Sequence, residues 1–545
     1  MISNENDSVR QKNHDEEITE SSSKKLKVEV EDVFASMNEK WSNENFQWSK
    51  ELKVLLDKFF KFPFRPYQLT AINAILSNKH VLVVKPSGSG KSLIYQMVSI
   101  YTKKLTVVIA PMISLIEDQL INMNKRNIPA EALHSHIEDE VIDEVFDKMW
   151  NGNINILFIT PEQFRARNEK RLRDTLKMLY DKNQLGLFVI DEVHCISKWK
   201  NGFRKAYQEL SGLQKYKIPI LGLTATMTPS NLTKIKEDLQ LENPVVIKSP
   251  KTSRDNIVYK VIPRKSIFLK VQYITSLLKE TYSGQSVIIY CSAWWECEYV
   301  YKMLIKNDID SCLYHVKMSS RDRKKSHNDW LEEKFHVMVT TNAFGMGINK
   351  SDVCLVIHYS VPRSLEHFVQ ESGRARRDGQ RAQSIILYSL ENWLKVYIYV
   401  KDDKNDMIGI LKYCLAHPNC RRKVIDDYFN NPCHDNCEKK IKKILGDKSS
   451  SSFLKTYLLK IGKNIKLIKK RRPYCTLNDL ISSISFCSIH ENVEDIIAYL
   501  LITDVLKVEV EQDFKYNLSI NYDNYYEMIG KLSLLGVTPP IALKS

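Results

Sequence analysis

The sequence predicts an α/β protein with two parallel-sheet domains, then a smaller helical region and a C-terminal module of helices and one hairpin. Three observations carry this. Short apolar runs alternate with longer amphipathic stretches from Val81 to Leu223, and again from about Asn256 to Tyr388. Such alternation builds parallel sheets covered by helices. A glycine-bearing turn, Lys85-Pro86-Ser87-Gly88-Ser89-Gly90-Lys91-Ser92, joins an apolar run to a helix start. The second alternating block has no such turn, and beyond Leu390 the apolar runs stop.

Taken in order, residues 1–45 are polar and poor in aromatics, which predicts a disordered tail. Six Lys or Arg against ten Asp or Glu leave residues 1–40 at −4 and the remainder of the +15 chain at +19. The patch Lys24-Lys25-Leu26-Lys27 reads either as a nuclear-import signal or as a solvated charge cluster. From Trp48 apolar residues recur at helical spacing (Leu52, Leu55, Leu56, Phe59) before Phe62-Pro63-Phe64-Arg65-Pro66-Tyr67-Gln68. The first domain, 46–255, carries its apolar runs at 81–84, 106–110, 154–159, 187–190 and 220–223. The second, 256–392, carries them at 286–290, 336–340, 354–359 and 384–388. A Cys-containing region (393–440) follows, then a basic segment with Lys469-Lys470-Arg471-Arg472. Helical patterning and two alternating runs around Glu511-Gln512-Asp513-Phe514-Lys515 make 441–545 suit a small winged-helix module.

No apolar run approaches membrane-spanning length, and none near Met1 resembles a secretory signal. A soluble intracellular protein without a membrane partner is therefore expected. In a reducing compartment the eleven cysteines read as thiols or metal ligands rather than disulfides. The positive charge favours a polyanionic partner such as DNA or RNA.

Two motifs carry the chemistry. A bare glycine-rich turn is often only a turn, but here Val81–Val84 precedes it and Gly90-Lys91-Ser92 opens a helix. Glycines let backbone N–H groups converge on one anion, and the helix N-terminus adds positive charge there. Ser87, Gly88, Ser89 and Gly90 would cradle phosphates, Lys91 reach the β- and γ-phosphates, and Ser92 hold Mg²⁺. The second motif, Asp191-Glu192-Val193-His194, follows a buried run. It offers one carboxylate for Mg²⁺ (Asp191) and one to orient or deprotonate water (Glu192). His194 would couple this site to the next domain. Two α/β domains sharing one phosphate loop suggest a nucleotide held in the cleft between them.

Together these motifs resemble the ATP site of a superfamily 2 helicase. Asp191-Glu192-Val193-His194-Cys195-Ile196-Ser197 followed by Trp199 is similar to the RecQ family of DNA helicases in particular. So are Phe64-Arg65-Pro66 with Gln68, the run from Pro111 to Gln119, Thr160-Pro161-Glu162, Gly222-Leu223-Thr224-Ala225-Thr226, Ala343-Phe344-Gly345-Met346-Gly347-Ile348 and Gln370-Glu371-Ser372-Gly373-Arg374-Ala375. The resemblance implies two RecA-like lobes, a helical zinc-binding subdomain and a winged helix, of the short eukaryotic type without an extra C-terminal helical DNA-binding module. It implies ATP-driven 3′-to-5′ unwinding of duplex or branched DNA in repair, recombination and replication, in the nucleus. Homo-oligomers and repair-protein partners are compatible with it.

Carried over by residue, Arg65 and Gln68 would read adenine, with Phe60 or Phe62 stacking on it. Ser114, Asp118 and Thr160 would line the strand track, and Thr224 and Thr226 would couple ATP state to DNA. Asn256 falls in a family motif at the domain junction. Gln370, Arg374 and Arg377 match the last helicase motif, with Arg377 first and Arg374 second as the arginine that stabilises phosphoryl transfer. Phe514 is the candidate hairpin-tip wedge, beside the reading that it is ordinary packing. The family's zinc site matches Cys420 and Cys437 directly, with Cys433 and His434 completing it and Cys414 or His417 as a substitute; a degenerate site without metal is the alternative.

The chain also departs from the family pattern. It reads Trp199-Lys200-Asn201-Gly202-Phe203-Arg204-Lys205-Ala206-Tyr207 where the family has Trp-Gly-His-Asp-Phe-Arg-Pro-Glu-Tyr. Trp199, Phe203 and Arg204 retain stacking and phosphate pairing, but the usual His and Asp of the relay are absent. Arg376 stands where the family has Gly. These departures motivate two alternatives: a DNA-binding or strand-annealing scaffold with a weakened motor, and an RNA helicase of the same superfamily.

Overall fold

The computed structural model describes residues 40–198, 209–249, 251–264, 266–344, 350–400, 404–416 and 420–430, with short pieces at 465, 497, 501–502, 506–510 and 516–520. The chain divides into two compact units, Met1–Pro250 and Lys251–Ser545.

In the first unit the expected apolar runs form strands β1 (Val81–Val84), β2 (Leu105–Ile109), β4 (Ile156–Ile159), β5 (Leu185–Ile190) and β6 (Ile220–Thr224). Two further strands, β3 (Ala130–Leu133) and β7 (Val245–Lys248), close the edges of a parallel sheet in the order β3-β4-β2-β5-β6-β1-β7. The central strands are continuously apolar because both faces are covered. Val81 and Val83 pack with helices Ser49–Phe59, Pro66–Leu76 and Ser92–Thr102, while Leu82 and Val84 pack with helices Asp139–Trp150 and Glu169–Asp181. Each fully buried Val, Leu or Ile of this kind contributes roughly 1.5–3 kcal/mol. Parallel pairing aligns the strand ends, Val84 opposite Thr224 and Ile190 opposite Gly222. Close approach needs Gly222: a Cβ there would lie 2.5 Å from Leu82 Cδ2.

In the second unit, β8 (Ile257–Pro263), β9 (Val287–Tyr290), β10 (Ser311–Tyr314), β11 (Val337–Thr340), β12 (Leu355–His358) and β13 (Ala382–Tyr388) form a parallel sheet in the order β10-β11-β9-β12-β13-β8. Its two faces are again covered, one by helices Ile267–Glu280 and Trp294–Lys306, the other by helices Leu365–Ser372, Leu390–Tyr399, Lys404–Leu415 and Arg421–Asn430. Strands β14 (Leu506–Val510) and β15 (Tyr516–Ile520) pair antiparallel, as the alternating runs predict. Residues 251–255, assigned by the sequence to the end of the first domain, bond within the second unit: Asp426 accepts from Thr252 N and Ser253 N, both at 2.7 Å. Among the described residues no helix is long and apolar enough to cross a membrane.

Candidate nucleotide site

Three neighbouring strands, β5, β6 and β1, end on the same edge of the first sheet. Beyond β1 the chain turns through Gly88 (φ +76) and Gly90 (φ +85) into helix Ser92–Thr102. Left-handed Gly90 followed by right-handed Lys91 (φ −56) is the alternation that turns successive N–H groups toward one anion. The Lys91 ammonium donates to the carbonyls of Lys85 (2.9 Å) and Pro86 (3.3 Å).

The loop is held from outside by the start of helix Pro66–Leu76. Arg65 Nη1 and the Tyr67 hydroxyl both donate to the Ser89 carbonyl, at 2.6 and 2.7 Å. Gln68 Nε2 donates to the Gly90 carbonyl at 2.8 Å, while its Oε1 accepts from Arg65 N at 2.8 Å. A Cβ on residue 90 would lie 2.7 Å from that Nε2, so the approach requires glycine. The expected adenine readers thus also buttress the phosphate loop, a role the sequence did not reveal, and Tyr67 shares it unannounced. Of the two aromatics expected near adenine, Phe60 is buried and Phe62 is exposed.

Asp191 follows β5 directly, its N–H donating to Ile109 O at 2.9 Å. The residue is half-buried, and desolvation of its carboxyl, with the neighbouring Glu192 charge, pushes it up to about 7 against the opposing pull of Lys91. The Asp191 carboxylate and the Ser92 hydroxyl are hard oxygen donors, the kind that fit a divalent cation such as Mg²⁺. Glu192 has a left-handed backbone (φ +48), costly for a non-glycine residue by about 1–3 kcal/mol. That turn swings its carboxylate to 3.2 Å from His194 Nδ1. The same Nδ1 lies 2.9 Å from Thr224 Oγ1, whose hydroxyl donates to Thr226 O at 3.0 Å. With its proton directed there, Thr224 Oγ1 accepts from His194, which fixes the proton on Nδ1. Nε2 then faces Cys195 Sγ at 3.7 Å. His194 thus stands between the Glu192 carboxylate, at ion-pair distance, and the hydrogen-bonded Thr224–Thr226 pair, all inside the first unit.

Helix Ile113–Asn124, bearing half-buried Ser114, follows β2, and Thr160 follows β4. Both lie past the same strand ends as the phosphate loop, on the other side of β5. The sheet thus separates the triphosphate candidates from the strand-track candidates along one edge.

In the second unit helix Leu365–Ser372 carries half-buried Gln370 and runs into the arginine loop. Arg374 is only 7% exposed and lies beside Tyr290, whereas Arg377 is half-buried, with its N–H donating to Ser351 O at 3.0 Å. Presentation to a ligand favours Arg377. Arg376 adopts φ +38, which explains why glycine suits this position. Sequence reasoning placed Arg254 in the motif around Asn256 but gave it no role; its guanidinium donates to Gly373 O (2.9 Å), Ala375 O (2.8 Å) and Arg376 O.

Trp199, Phe203, Arg204, His417, Cys433, His434, Cys437 and Phe514 lie outside the described residues, as do residues 345–349 and 1–39. Among the described residues no three potential metal ligands come together. Cys420 is exposed. Cys414, a substitute ligand, packs in the apolar core, where burial pushes its thiol pKa up, against the thiolate that zinc requires.

Two family models match: DEAD/DEAH box helicase over residues 65–235 and helicase conserved C-terminal domain over residues 269–379. The chain is 31% identical to the ATP-dependent DNA helicase Q1 of Mus musculus over 493 residues, covering 86% of this chain and 76% of that protein. It is 35% identical to the RecQ-like DNA helicase blm-1 of Caenorhabditis elegans over 398 residues, 70% of this chain and 40% of that one. In fold it is similar to the crystal structure of the DUF1998 helicase MrfA bound to DNA, with a TM-score of 0.54 and 14% identity over 88% of this chain and 63% of that chain.

Proposed function

The chain belongs to the RecQ family of ATP-dependent DNA helicases, and on that premise we propose that it couples ATP hydrolysis to 3′-to-5′ separation of duplex or branched DNA in repair, recombination and replication. The observation that carries the reading is the network at the ends of β1, β5 and β6, where phosphate loop, carboxylate pair and Thr224 meet. Lys91 exchanges the Lys85 and Pro86 carbonyls for the β- and γ-phosphates. Mg²⁺, held by Ser92 and Asp191, supplies charge neutralisation on those phosphates when bound. Glu192 orients the attacking water and accepts its proton, and Arg377 stabilises the charge that develops on the transferring phosphoryl group. Arg65 and Gln68 recognise the adenine edge while they hold the loop.

His194 links Glu192 to Thr224 and Thr226, so a shift of the segment after β6 on DNA binding reaches the carboxylate that handles water. Ser114 and Thr160 contact the strand backbone, Trp199 and Phe203 stack on bases, Arg204 pairs with phosphate, and Phe514 parts the duplex. A zinc ion on Cys420, Cys433, His434 and Cys437, and residence in the nucleus, belong to the same reading.

Strand displacement on duplexes with one single-stranded tail tests it. Displacement that requires ATP and a 3′ tail is expected. Displacement from a 5′ tail overturns the direction, and preference for RNA duplexes overturns the substrate.

A further inference from the structure

The arginine loop is not held by its own helix alone. At the end of helix Leu365–Ser372 the chain takes up its own carbonyls, Val369 O from Gly373 N, Glu371 O from Arg374 N and Ser372 O from Ala375 N, which leaves the carbonyls of the following loop to other donors. Arg254 supplies them from more than a hundred residues away in sequence, its guanidinium spanning the loop carbonyls of Gly373, Ala375 and Arg376. Asn256 Nδ2 adds bonds to Arg376 O at 3.1 Å and Gln380 O at 2.7 Å. Arg376 N donates to Val353 O at 2.7 Å. The residue before Arg377 is therefore pinned at both its N–H and its carbonyl, in a left-handed conformation that an unconstrained arginine would leave.

Arg254 and Asn256 are in turn anchored. Asp426 accepts from Thr252 N and Ser253 N and from Ser253 Oγ at 2.8 Å. Arg422 donates to Arg254 O (3.0 Å), Asp255 O (3.0 Å) and Ile257 O (2.7 Å). A carboxylate on two backbone N–H groups and a guanidinium forked across three carbonyls are charge-assisted bonds, stronger than neutral ones. The four side chains form a continuous bonded path from helix Arg421–Asn430 through residues 252–256 to the loop.

We infer that Arg254 and Asn256, themselves fixed by Asp426 and Arg422, are positioning residues for ATP hydrolysis that set where the loop presents Arg377. The inference rests on the assignment of Arg377 to phosphoryl transfer. Helix Arg421–Asn430 thereby becomes a part of the motor that touches no nucleotide, and a displacement of it moves the catalytic arginine.

The test is steady-state ATP hydrolysis at saturating single-stranded DNA for Arg254→Met, Asn256→Asp, Asp426→Ala, Arg377→Ala and the double variant Arg254→Met/Arg377→Ala. Small misplacement of a catalytic group costs up to about 100-fold. Arg254→Met is therefore expected to lower kcat roughly 10- to 100-fold, with KM for ATP and DNA affinity within about twofold of wild type. Asn256→Asp turns a carboxylate toward two carbonyls and Asp426→Ala frees residues 252–253; both are expected to show the same kcat-against-KM split more weakly. The double variant is expected to be no slower than Arg377→Ala, since an ill-placed loop costs nothing once its arginine is gone. A purely structural role predicts additive losses, and additivity overturns the inference. Should Arg254→Met fail to fold, Asn256→Asp, at a half-exposed position, decides alone, and wild-type kcat there overturns it. Slow Arg377→Ala beside wild-type positioning variants removes only this inference. Full turnover by Arg377→Ala removes the phosphoryl-transfer assignment and this inference with it.

Discussion

Arg377→Ala is expected to slow DNA-stimulated ATP turnover by roughly 10³-fold, the lower end of what such arginines contribute, while KM for ATP changes little. On the scale of activation free energy this is about 4 kcal/mol. The split follows from when the side chain acts: charge grows on the phosphoryl oxygens in the transition state, and ground-state binding rests on the phosphate loop. Arg374 provides the contrast. It is buried beside Tyr290 within its own unit, so Arg374→Ala is expected to lower the melting temperature as well as the rate. Steady-state kinetics and thermal unfolding of the two variants, side by side, check the assignment. Normal kcat in Arg377→Ala contradicts it.

Asp191→Asn is expected to abolish hydrolysis, by about 10²–10³-fold or more, and to stabilise the ligand-free protein at the same time. Burial and the Glu192 charge hold the Asp191 carboxyl up at about 7, above its unfolded value near 3.8. Between these values the folded state binds the proton that the unfolded state has released. Stability therefore falls as pH rises from about 4 to about 7 and stays low above it. An amide of nearly the same shape carries no charge and escapes the loss. With chelator present, the Asn variant should melt a few degrees above wild type at pH 8, a difference that shrinks as pH falls and disappears by about pH 4. Equal melting temperatures at pH 8 would refute the electrostatic account, since the active-site carboxylate would then impose no strain. This is the expected conflict between stability and function at a charged catalytic cluster.

The parts of the fold visible in sequence are those whose residues answer to local physics. Central strands such as Val81–Val84 and Ile156–Ile159 are apolar throughout because helices cover both faces. The edge strand Ala130–Leu133 reads Ala-Glu-Ala-Leu and offered no apolar run, while the edge strand Val245–Lys248 offered only the three-residue run Val-Val-Ile, which was passed over. At the site, the phosphate loop and the acidic motif were legible because spacing along the chain sets their geometry. The role of Arg254 was not, because it binds backbone carbonyls 119 to 122 positions away, and carbonyls leave no mark on residue identity. The left-handed turn at Glu192 was equally hidden, since nothing in a glutamate announces φ +48. Arg376 lies between these cases: its departure from the family glycine was visible, and its φ of +38 gives the reason glycine suits the place.

The account stands or falls on whether DNA controls phosphate chemistry at Lys91. Phosphate release from ATP should be measured for the wild type and for Lys91→Ala, each with and without single-stranded DNA. The account predicts slow release by the wild type alone, a several-fold rise on adding DNA, and background rates for the variant in both conditions. A wild-type rate indifferent to DNA, or a variant that hydrolyses as fast as the wild type, would contradict it.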